Sequence, residues 1–278
     1  MGNFGVSNSK PVPAICWVVA LRSEAQPLIK LFGMRLVSNQ MLFPIFKNEE
    51  LGHCLVLSGV GQVNVAAATT FLAGVMGAAR WTAWINVGIA GYFEEPVGQF
   101  FQVNKVVQSS TGRKLFPGFR FAKMVSFREL STLDVASRNY RAGILFDMEG
   151  FAFADIASRL CCNELTFLFK IVSDTPQSCL GDFDENFVSG LIEKNLQNLS
   201  AISGEVLKLV SVERERLDLP FELKEVLSFH QFSATAEKQV IEKYRIWKIK
   251  NKDRKFSELI SGLKTARAIL AKLKFVTS

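Results

Sequence analysis

Continuous apolar runs alternate along the chain with glycine-containing breaks and with segments of helical spacing. The first run, 14–21, contains only apolar residues, which is typical of a strand buried on both faces. The same pattern recurs and predicts strands at 14–21, 55–57, 84–88, 103–107, 143–146 and 165–169, and helices at 25–32, 63–76 and 151–160. Strands that alternate with helices in this way indicate an α/β fold with helices on the faces of a sheet.

The pattern changes after Leu219-Pro220, where a domain boundary is predicted. We expect an α/β domain at 12–215 and a helical C-terminal extension at 220–278. Within the extension, 237–249 and 256–275 are predicted to be helices, because apolar residues recur every three or four positions against lysines and arginines.

Composition limits the class of protein. With 278 residues and 49% apolar content, the chain is long enough for a large core, yet its apolar stretches are broken before the roughly 18 residues of a membrane span. No integral membrane segment and no secretory signal are therefore expected. The five cysteines form no C-x-x-C pair, which favours a reducing, cytoplasmic compartment. The only two histidines, His53 and His230, provide poorly for a zinc site or a Ser-His-Asp triad.

The net charge of +7 is concentrated in the extension. Residues 236–278 carry a net charge of +8, which leaves about −1 for the rest of the chain. Tyr244 and Trp247 lie among seven basic residues at 243–255, a mixture that can bind nucleic acid through phosphate contacts and base stacking. The alternatives are a packed helical pair with a solvated basic face, and an amphipathic basic helix on a membrane surface.

Three acids stand at the ends of separate apolar segments, namely Glu24, Glu149 and Asp174. Strand ends on one edge of an α/β sheet form the usual ligand site, so these acids are expected to converge on one pocket. The glycine breaks at 59–61 and 88–91 would allow backbone to approach a ligand closely. The plainer alternative for Asp174 is that it caps the segment that follows.

Five segments, at 57–67, 86–91, 98–107, 147–149 and 172–174, resemble in order and spacing the signature segments of the purine nucleoside phosphorylase/hydrolase superfamily. Within it, the pattern is similar to that of methylthioadenosine/S-adenosylhomocysteine nucleosidase, over about 14–210. The resemblance implies a single nucleoside phosphorylase-like domain with a central mixed twisted sheet, and hydrolysis of a purine nucleoside. The expected substrate is a 5′-modified adenosine such as methylthioadenosine, S-adenosylhomocysteine or 5′-deoxyadenosine. No metal or organic cofactor is implied, and a homodimer is expected.

The resemblance also assigns roles to individual residues. It implies that Asp174 donates a proton to purine N7 and that Glu24 activates the attacking water, roles in which charge is stabilised only in the transition state. Glu149 would accept hydrogen bonds from the ribose hydroxyls, and Met148 would form the apolar floor beneath the sugar. Phe127 falls near the position of the ring that stacks on the purine, although ordinary core packing explains a phenylalanine there almost as well.

Two further positions of the resembled pattern have two possible roles each, and three others differ from the residue that the family usually has. Ser173 touches the pocket floor or bonds its own turn, and Val60 lines the 5′-substituent pocket or packs the start of a helix. Ile89 stands where the family usually has Ser or Thr, and Lys170 replaces an Arg near the water. Asn86 stands where phosphorylases carry an Arg, and a phosphate nucleophile needs such contacts, so water is favoured as nucleophile. The rival hypotheses are a phosphate-dependent phosphorylase and a nucleoside- or nucleic-acid-binding protein that has lost turnover.

Overall fold

The computed structural model describes residues 12–38, 41–94, 96–137, 139–177 and 184–277. The chain divides into two compact units, the first ending at Arg216 and the second beginning at Leu217. This division falls between the predicted α/β domain and the predicted extension.

The first unit is built from ten strands, five α-helices and one short 3-10 helix, Asn163–Leu165, in its described residues. The strands are β1 Ile15–Val19, β2 Arg35–Leu36, β3 Ile45–Asn48, β4 His53–Leu57, β5 Ala83–Tyr92, β6 Phe100–Gln108, β7 Lys114–Leu115, β8 Ser126–Thr132, β9 Ile144–Asp147 and β10 Thr166–Asp174. The helices are α1 Arg22–Leu31, α2 Gln62–Met76, α3 Gly150–Leu160, α4 Glu185–Lys194 and α5 Leu196–Leu217.

The ten strands form one mixed sheet, part of which closes into a ring. Strands β5, β10, β6, β8 and β9 pair in that order, and β9 pairs back onto β5. The remaining strands β1, β4, β3 and β2 extend the sheet from β5, while β7 pairs with β6. The predicted α/β class with a central mixed sheet and flanking helices is therefore confirmed.

The core explains why the apolar runs form strands. Strand β1 is buried along its whole length between β4 and β5, and both pairings are parallel. Parallel strands covered on both faces require continuous apolar sequence. Trp17 and Trp84 are among the largest fully buried side chains of this unit. Strand β5 extends to Tyr92, past the glycine break at which the sequence predicted its end.

The second unit is helical and has an apolar cluster of its own. Its helices are α6 Phe221–Phe229, α7 Ala234–Lys250, α8 Phe256–Leu259 and α9 Ala266–Thr277. The single helix expected at 256–275 is therefore two helices, separated by a turn in which Gly262 has φ +78°. The cluster contains Leu223, Val226, Val240, Tyr244, Trp247, Phe256, Ile269 and Leu273.

Tyr244 and Trp247 are core residues of this second unit, only 2% and 3% exposed. The Tyr244 hydroxyl donates to Glu222 Oε1 at 2.5 Å, and both rings pack near Phe256. Neither ring is available to stack on a base, so that part of the nucleic-acid hypothesis is wrong. Binding of phosphates by the surrounding lysines and arginines stays a prediction.

Candidate active site

The candidate site lies along one edge of β5, at the point where that edge stops pairing with one strand and begins to pair with another. Residues Ala83–Asn86 pair with β1, whereas Gly91 and Tyr92 pair with β9. The opposite edge pairs with β10 along almost the whole strand. Between the two neighbours, the Ile89 N–H donates to Glu24 Oε1 at 2.8 Å instead of to a strand. A crevice where strands part near their carboxyl ends is a favoured ligand site in α/β sheets.

Glu24 reaches this gap from the first turn of α1. Its second oxygen, Oε2, accepts the Leu21 N–H at 2.9 Å, which satisfies an unpaired donor at the start of the helix. The side chain is only 2% exposed. A Cβ at Gly88 would lie 2.9 Å from Glu24 Oε1, so glycine allows the carboxylate to approach the strand closely.

Lys170 supplies the positive charge at this site. It lies on β10 directly opposite Gly88, and its Nζ forms an ion pair with Asp147 Oδ2 at 2.8 Å. Asp147 also accepts hydrogen bonds from Thr132 Oγ1 at 2.7 Å and from the Gly150 N–H at 2.8 Å. Both members of the pair are almost fully buried. A buried ion pair persists only when its remaining hydrogen-bonding capacity is satisfied, which these contacts achieve for Asp147.

Glu149, which immediately precedes α3, is the third carboxylate of the site. Its Oε1 accepts the Gly61 N–H at 2.6 Å, and its Oε2 accepts the Met148 N–H at 3.3 Å. Gly61 has φ +99° and immediately precedes α2. The carboxylate therefore holds the glycine turn that follows β4. We call Glu24, Asp147, Glu149 and Lys170 the charge cluster.

The environment of the charge cluster shifts the pKa of three of its members. Burial raises the pKa of Glu24, although the Ile89 and Leu21 N–H groups and Lys170 oppose the shift. Burial, together with the charge of Asp147, raises the pKa of Glu149 to about 7. Burial disfavours the charge on Lys170, but the Asp147, Glu149 and Glu24 carboxylates outweigh it and raise its pKa. Perturbed ionisable groups gathered in a crevice are characteristic of functional sites.

Asp174 ends β10 and pairs with Gly91, three residues further along β5 than Gly88. Ser173 Oγ donates to Asp174 Oδ1 at 2.6 Å, and the Tyr140 hydroxyl donates to Oδ2. Tyr140 lies in the connection between β8 and β9, and its ring packs on Phe146 with centroids 5.4 Å apart. We call Asp174, Ser173 and Tyr140 the Asp174 group. Asp174 is half-buried, and whether it caps the segment that follows stays a prediction.

Most of the residues predicted from sequence lie at this edge of the sheet. The structure bonds Glu24 to the Ile89 N–H, places Lys170 and Glu149 near enough to Glu24 for their charges to act on one another, and places Ser173 beside Asp174. Met148 is half-buried next to Glu149. Val60 belongs to the glycine turn that Glu149 holds, and its side chain is 45% exposed. The roles assigned to these residues stay predictions.

Phe127 lies elsewhere. It pairs with Gln102 on β6, which in turn pairs with Phe169 on β10, five residues before Asp174. Five strand residues span about 17 Å. Phe127 instead lines a polar cavity of about 310 Å³, with Arg120 over its ring at 5.7 Å. Its expected position on a purine next to Asp174 is therefore wrong, and the aromatic residue found there is Tyr140.

Three residues of the site were not predicted from the sequence: Tyr140, Asp147 and Thr132. Asp147 stands directly before Met148 and Glu149, so its position at a strand end was a usable signal. Thr132 and Tyr140 gave no such signal, because β8 is largely polar and the connection after it has no periodicity.

Asn86 is buried on β5 just before the gap. Its Nδ2 donates to Val18 O at 2.9 Å, and its Oδ1 has no hydrogen-bond partner among the described residues.

Comparison with solved structures defines the class of fold to which this architecture belongs. The first unit has the nucleoside phosphorylase-like α/β fold, and the resemblance predicted from the sequence is confirmed at this level. No family model matches the sequence, and no curated protein matches it either.

The solved structures that it resembles include two methylthioadenosine nucleosidases and a futalosine hydrolase. The 5′-methylthioadenosine/S-adenosylhomocysteine nucleosidase of Helicobacter pylori, solved with a nucleoside analogue, is 14% identical with a TM-score of 0.57, covering 70% of this chain and 99% of that one. Arabidopsis thaliana 5′-methylthioadenosine nucleosidase is 19% identical with a TM-score of 0.57, covering 72% and 96%. Futalosine hydrolase of Helicobacter pylori is 14% identical with a TM-score of 0.56, covering 70% and 98%.

The structure also bears on the expectations about metal binding, membrane spans and cysteines. Among the described residues, no group of three or more His, Cys, Asp and Glu side chains could hold a metal ion. No helix in the described ranges is long and apolar enough to cross a membrane. Cys16, Cys54, Cys161 and Cys162 are free, and Cys179 lies outside the described residues. The cytoplasmic location stays a prediction.

Proposed function

We propose that this chain hydrolyses the N-glycosidic bond of a purine nucleoside, and that its substrate is a 5′-modified adenosine such as methylthioadenosine, S-adenosylhomocysteine or 5′-deoxyadenosine. The observation that carries the proposal is the pair of acidic sites near the carboxyl end of β5, with Glu24 bonded to the Ile89 N–H and Asp174 on β10 opposite Gly91. The reaction needs an acid on the base side of the scissile bond and a base on the sugar side. The spacing along β5 supports that division.

Glu24 is the proposed general base on the sugar side. Water attacks C1′ as the C1′–N9 bond breaks, the bonding electron pair moves into the purine, and Glu24 takes the proton that water releases. Its raised pKa supports this role, because a base works best when its pKa lies close to the working pH. Its two backbone donors fix the carboxylate in one orientation. Ile89 would border the water through its side chain, and Lys170 would help to hold Glu24 by its charge.

Asp174 is the proposed acid on the base side, where it would protonate purine N7 as negative charge develops on the leaving base. Ser173 supports this role by fixing Asp174 Oδ1. Glu149 would accept hydrogen bonds from the ribose hydroxyls above Met148. Val60, on the exposed turn before α2, would border the 5′ substituent.

The charge cluster favours water over phosphate as the nucleophile. Its single cation, Lys170, is already paired with Asp147 and lies within the field of Glu149 and Glu24. A phosphate anion at the gap would therefore face three carboxylates and one occupied ammonium group, whereas phosphate sites normally offer free cationic or N–H donors. Water carries no charge and meets no such repulsion.

The test is release of free adenine from a panel of the three adenosine derivatives, with and without phosphate. We expect phosphate-independent release. Asp174→Asn should reduce release by roughly 10²- to 10⁴-fold and spare nucleoside binding, whereas Glu149→Gln should reduce both. Asp184→Asn is the matched control, because Asp184 is an exposed helix cap and Asn caps equally well. Normal turnover by Asp174→Asn would refute the assignment, and release that requires phosphate would point to a phosphorylase.

We also infer that the chain forms a homodimer. A shallow apolar groove of about 680 Å³ runs along α2 and is bordered by Leu42, Phe43, Phe71, Val75 and Ile156. Apolar surface of this kind is a common site of self-association. Light scattering should give twice the monomer mass for the wild type and the monomer mass for Ala67→Glu, which places a charge on the exposed lining of the groove. A monomeric wild type would refute the inference.

A further inference from the structure

Tyr140 occupies the space at the end of β10 that a ligand of Asp174 would have to enter. Its hydroxyl donates to Asp174 Oδ2, and its ring lies against the backbone of Gly91. A Cβ at Gly91 would overlap the Tyr140 ring, so glycine at this position makes room for that ring. The Tyr140 ring also packs on Phe146, with 5.4 Å between the ring centroids.

Both oxygens of Asp174 are therefore engaged by side chains of this chain. Ser173 holds Oδ1 from the same strand, which is a local contact that a ligand need not disturb. Tyr140 holds Oδ2 from a separate connection, 34 residues away in sequence. Of the two, only the Tyr140 contact brings a ring into the space beside the carboxylate. The two cavities of about 680 and 310 Å³ described above are lined by other residues.

The connection that carries Tyr140 is fixed at its ends. The Leu133 N–H donates to Asp147 O at 2.7 Å, and the Gly143 N–H donates to Glu94 Oε1 at 3.2 Å. Those anchors keep the backbone around Tyr140 near Asp174. Because Tyr140 lies on a connection and not on a strand, displacement of its ring would require no change in the sheet.

We infer that Tyr140 is a resident competitor for Asp174: a purine base reaches the acid only after the Tyr140 ring has swung out of the base subsite. This inference rests on the proposed function, because it takes the ligand of Asp174 to be a purine. In this arrangement the Tyr140 hydroxyl makes the hydrogen bond that the polar edge of the purine would make, and the Tyr140 ring fills the space that the purine ring would fill. Tyr140 then sets the affinity for the base, since every base that binds must displace it.

Adenine binding, measured by calorimetry on the full chain, tests the inference. Tyr140→Ala should bind adenine roughly tenfold or more tightly than the wild type, because it removes both the ring and a hydrogen bond to a charged group. Tyr140→Phe should lie between them, since it removes the hydroxyl alone. Tyr244→Phe is the matched control: it removes a tyrosine–carboxylate bond of the same kind in the second unit and should bind adenine as the wild type does.

A second readout follows the tyrosine itself. Adenine should change the near-ultraviolet tyrosine spectrum of the wild type and of Tyr244→Phe, but not that of Tyr140→Phe. Equal or weaker adenine binding by Tyr140→Ala would overturn the inference, as would failure of every variant to bind adenine. Failure of the proposed function would appear differently, as tighter adenine binding by Tyr140→Ala in a chain that releases no adenine from any nucleoside.

Discussion

The charge cluster and the Asp174 group lie three residues apart along β5, yet they hold their carboxylates in different ways. In the charge cluster, each acid accepts at least one backbone N–H group, and Asp147 also pairs with Lys170 and accepts the Thr132 hydroxyl. In the Asp174 group, the carboxylate accepts hydrogen bonds from two side-chain hydroxyls, those of Ser173 and Tyr140. Backbone donors move only with the segment of chain that carries them, whereas a hydroxyl can rotate about its own bond.

This difference matches the two halves of the proposed reaction. The sugar side must hold Glu24 and Glu149 before substrate arrives, because preorganised groups lower the barrier most. The base side must exchange partners in every cycle, since Asp174 first meets a base and later releases it. A rigid site next to an exchangeable one thus follows from which elements supply the hydrogen-bond donors.

The largest expected effect is on the rigid side, from Lys170→Met. It leaves three buried carboxylates without their cation, and loss of one partner of a buried ion pair costs about 3–5 kcal/mol of unfolding free energy. The control is Lys105→Met, which breaks the Lys105–Glu129 pair at 2.6 Å, where both side chains are 29% exposed. That change should cost about 1 kcal/mol or less. Chemical denaturation measures both, and similar losses would show that the charge cluster is not specially dependent on its cation.

The next effect is a pH dependence of stability that Glu149→Gln removes. The pKa of Glu149 is about 7 in the folded chain, raised from 4.5. Between these values the folded state binds more protons than the unfolded state, so the wild type loses stability as pH rises from 4.5 to 7, by at most about 3 kcal/mol. The difference in unfolding free energy, Glu149→Gln minus wild type, should therefore increase over that range and then level off. A difference that does not vary with pH would contradict the burial of this charge.

A smaller effect is expected from Gly88→Ala. The new Cβ would lie 2.9 Å from Glu24 Oε1, and two backbone bonds prevent the carboxylate from retreating. Overpacking of this kind costs about 1–3 kcal/mol, and turnover should fall with it because Glu24 is displaced. The control is Gly204→Ala in α5, where a Cβ meets nothing within 4 Å. It should stabilise by roughly 0.5–1 kcal/mol. Unchanged turnover in Gly88→Ala would exclude Glu24 from the reaction.

The same contrast explains which parts of the fold could be predicted from the sequence. Strand β1 was predicted because both of its faces are buried, which leaves a continuous apolar run. Strand β8 was missed, since its sequence contains Arg128, Glu129, Ser131 and Thr132, and its place between β6 and β9 depends on distant pairing. In the second unit, Val240, Tyr244 and Trp247 recur at helical spacing, so the core pattern was present although the aromatic rings suggested stacking.

Only some residues of the candidate site could be predicted from the sequence. Glu24, Glu149 and Asp174 could be found because each follows an apolar segment, and a charge there is conspicuous in the sequence. Tyr140 could not, because its polar connection has no periodicity and only the folded chain brings it to Asp174. The resemblance placed Phe127 near the purine, but the register of β8 carries that residue away from the end of β10.

Ser173→Ala should give the smallest of these effects and sharpen the comparison. It removes one hydroxyl from Asp174, a loss of about 0.5–1.5 kcal/mol in unfolding free energy. The control is Ser58→Ala, whose buried hydroxyl donates to Gly59 O at 2.9 Å and contacts no acid. Both variants should lose similar stability, but only Ser173→Ala should lower the rate of base release, because Asp174 would be less firmly oriented. If Ser173→Ala instead proved as destabilising as Lys170→Met, the Asp174 group would be as rigidly built as the charge cluster, and the contrast between the two would fail.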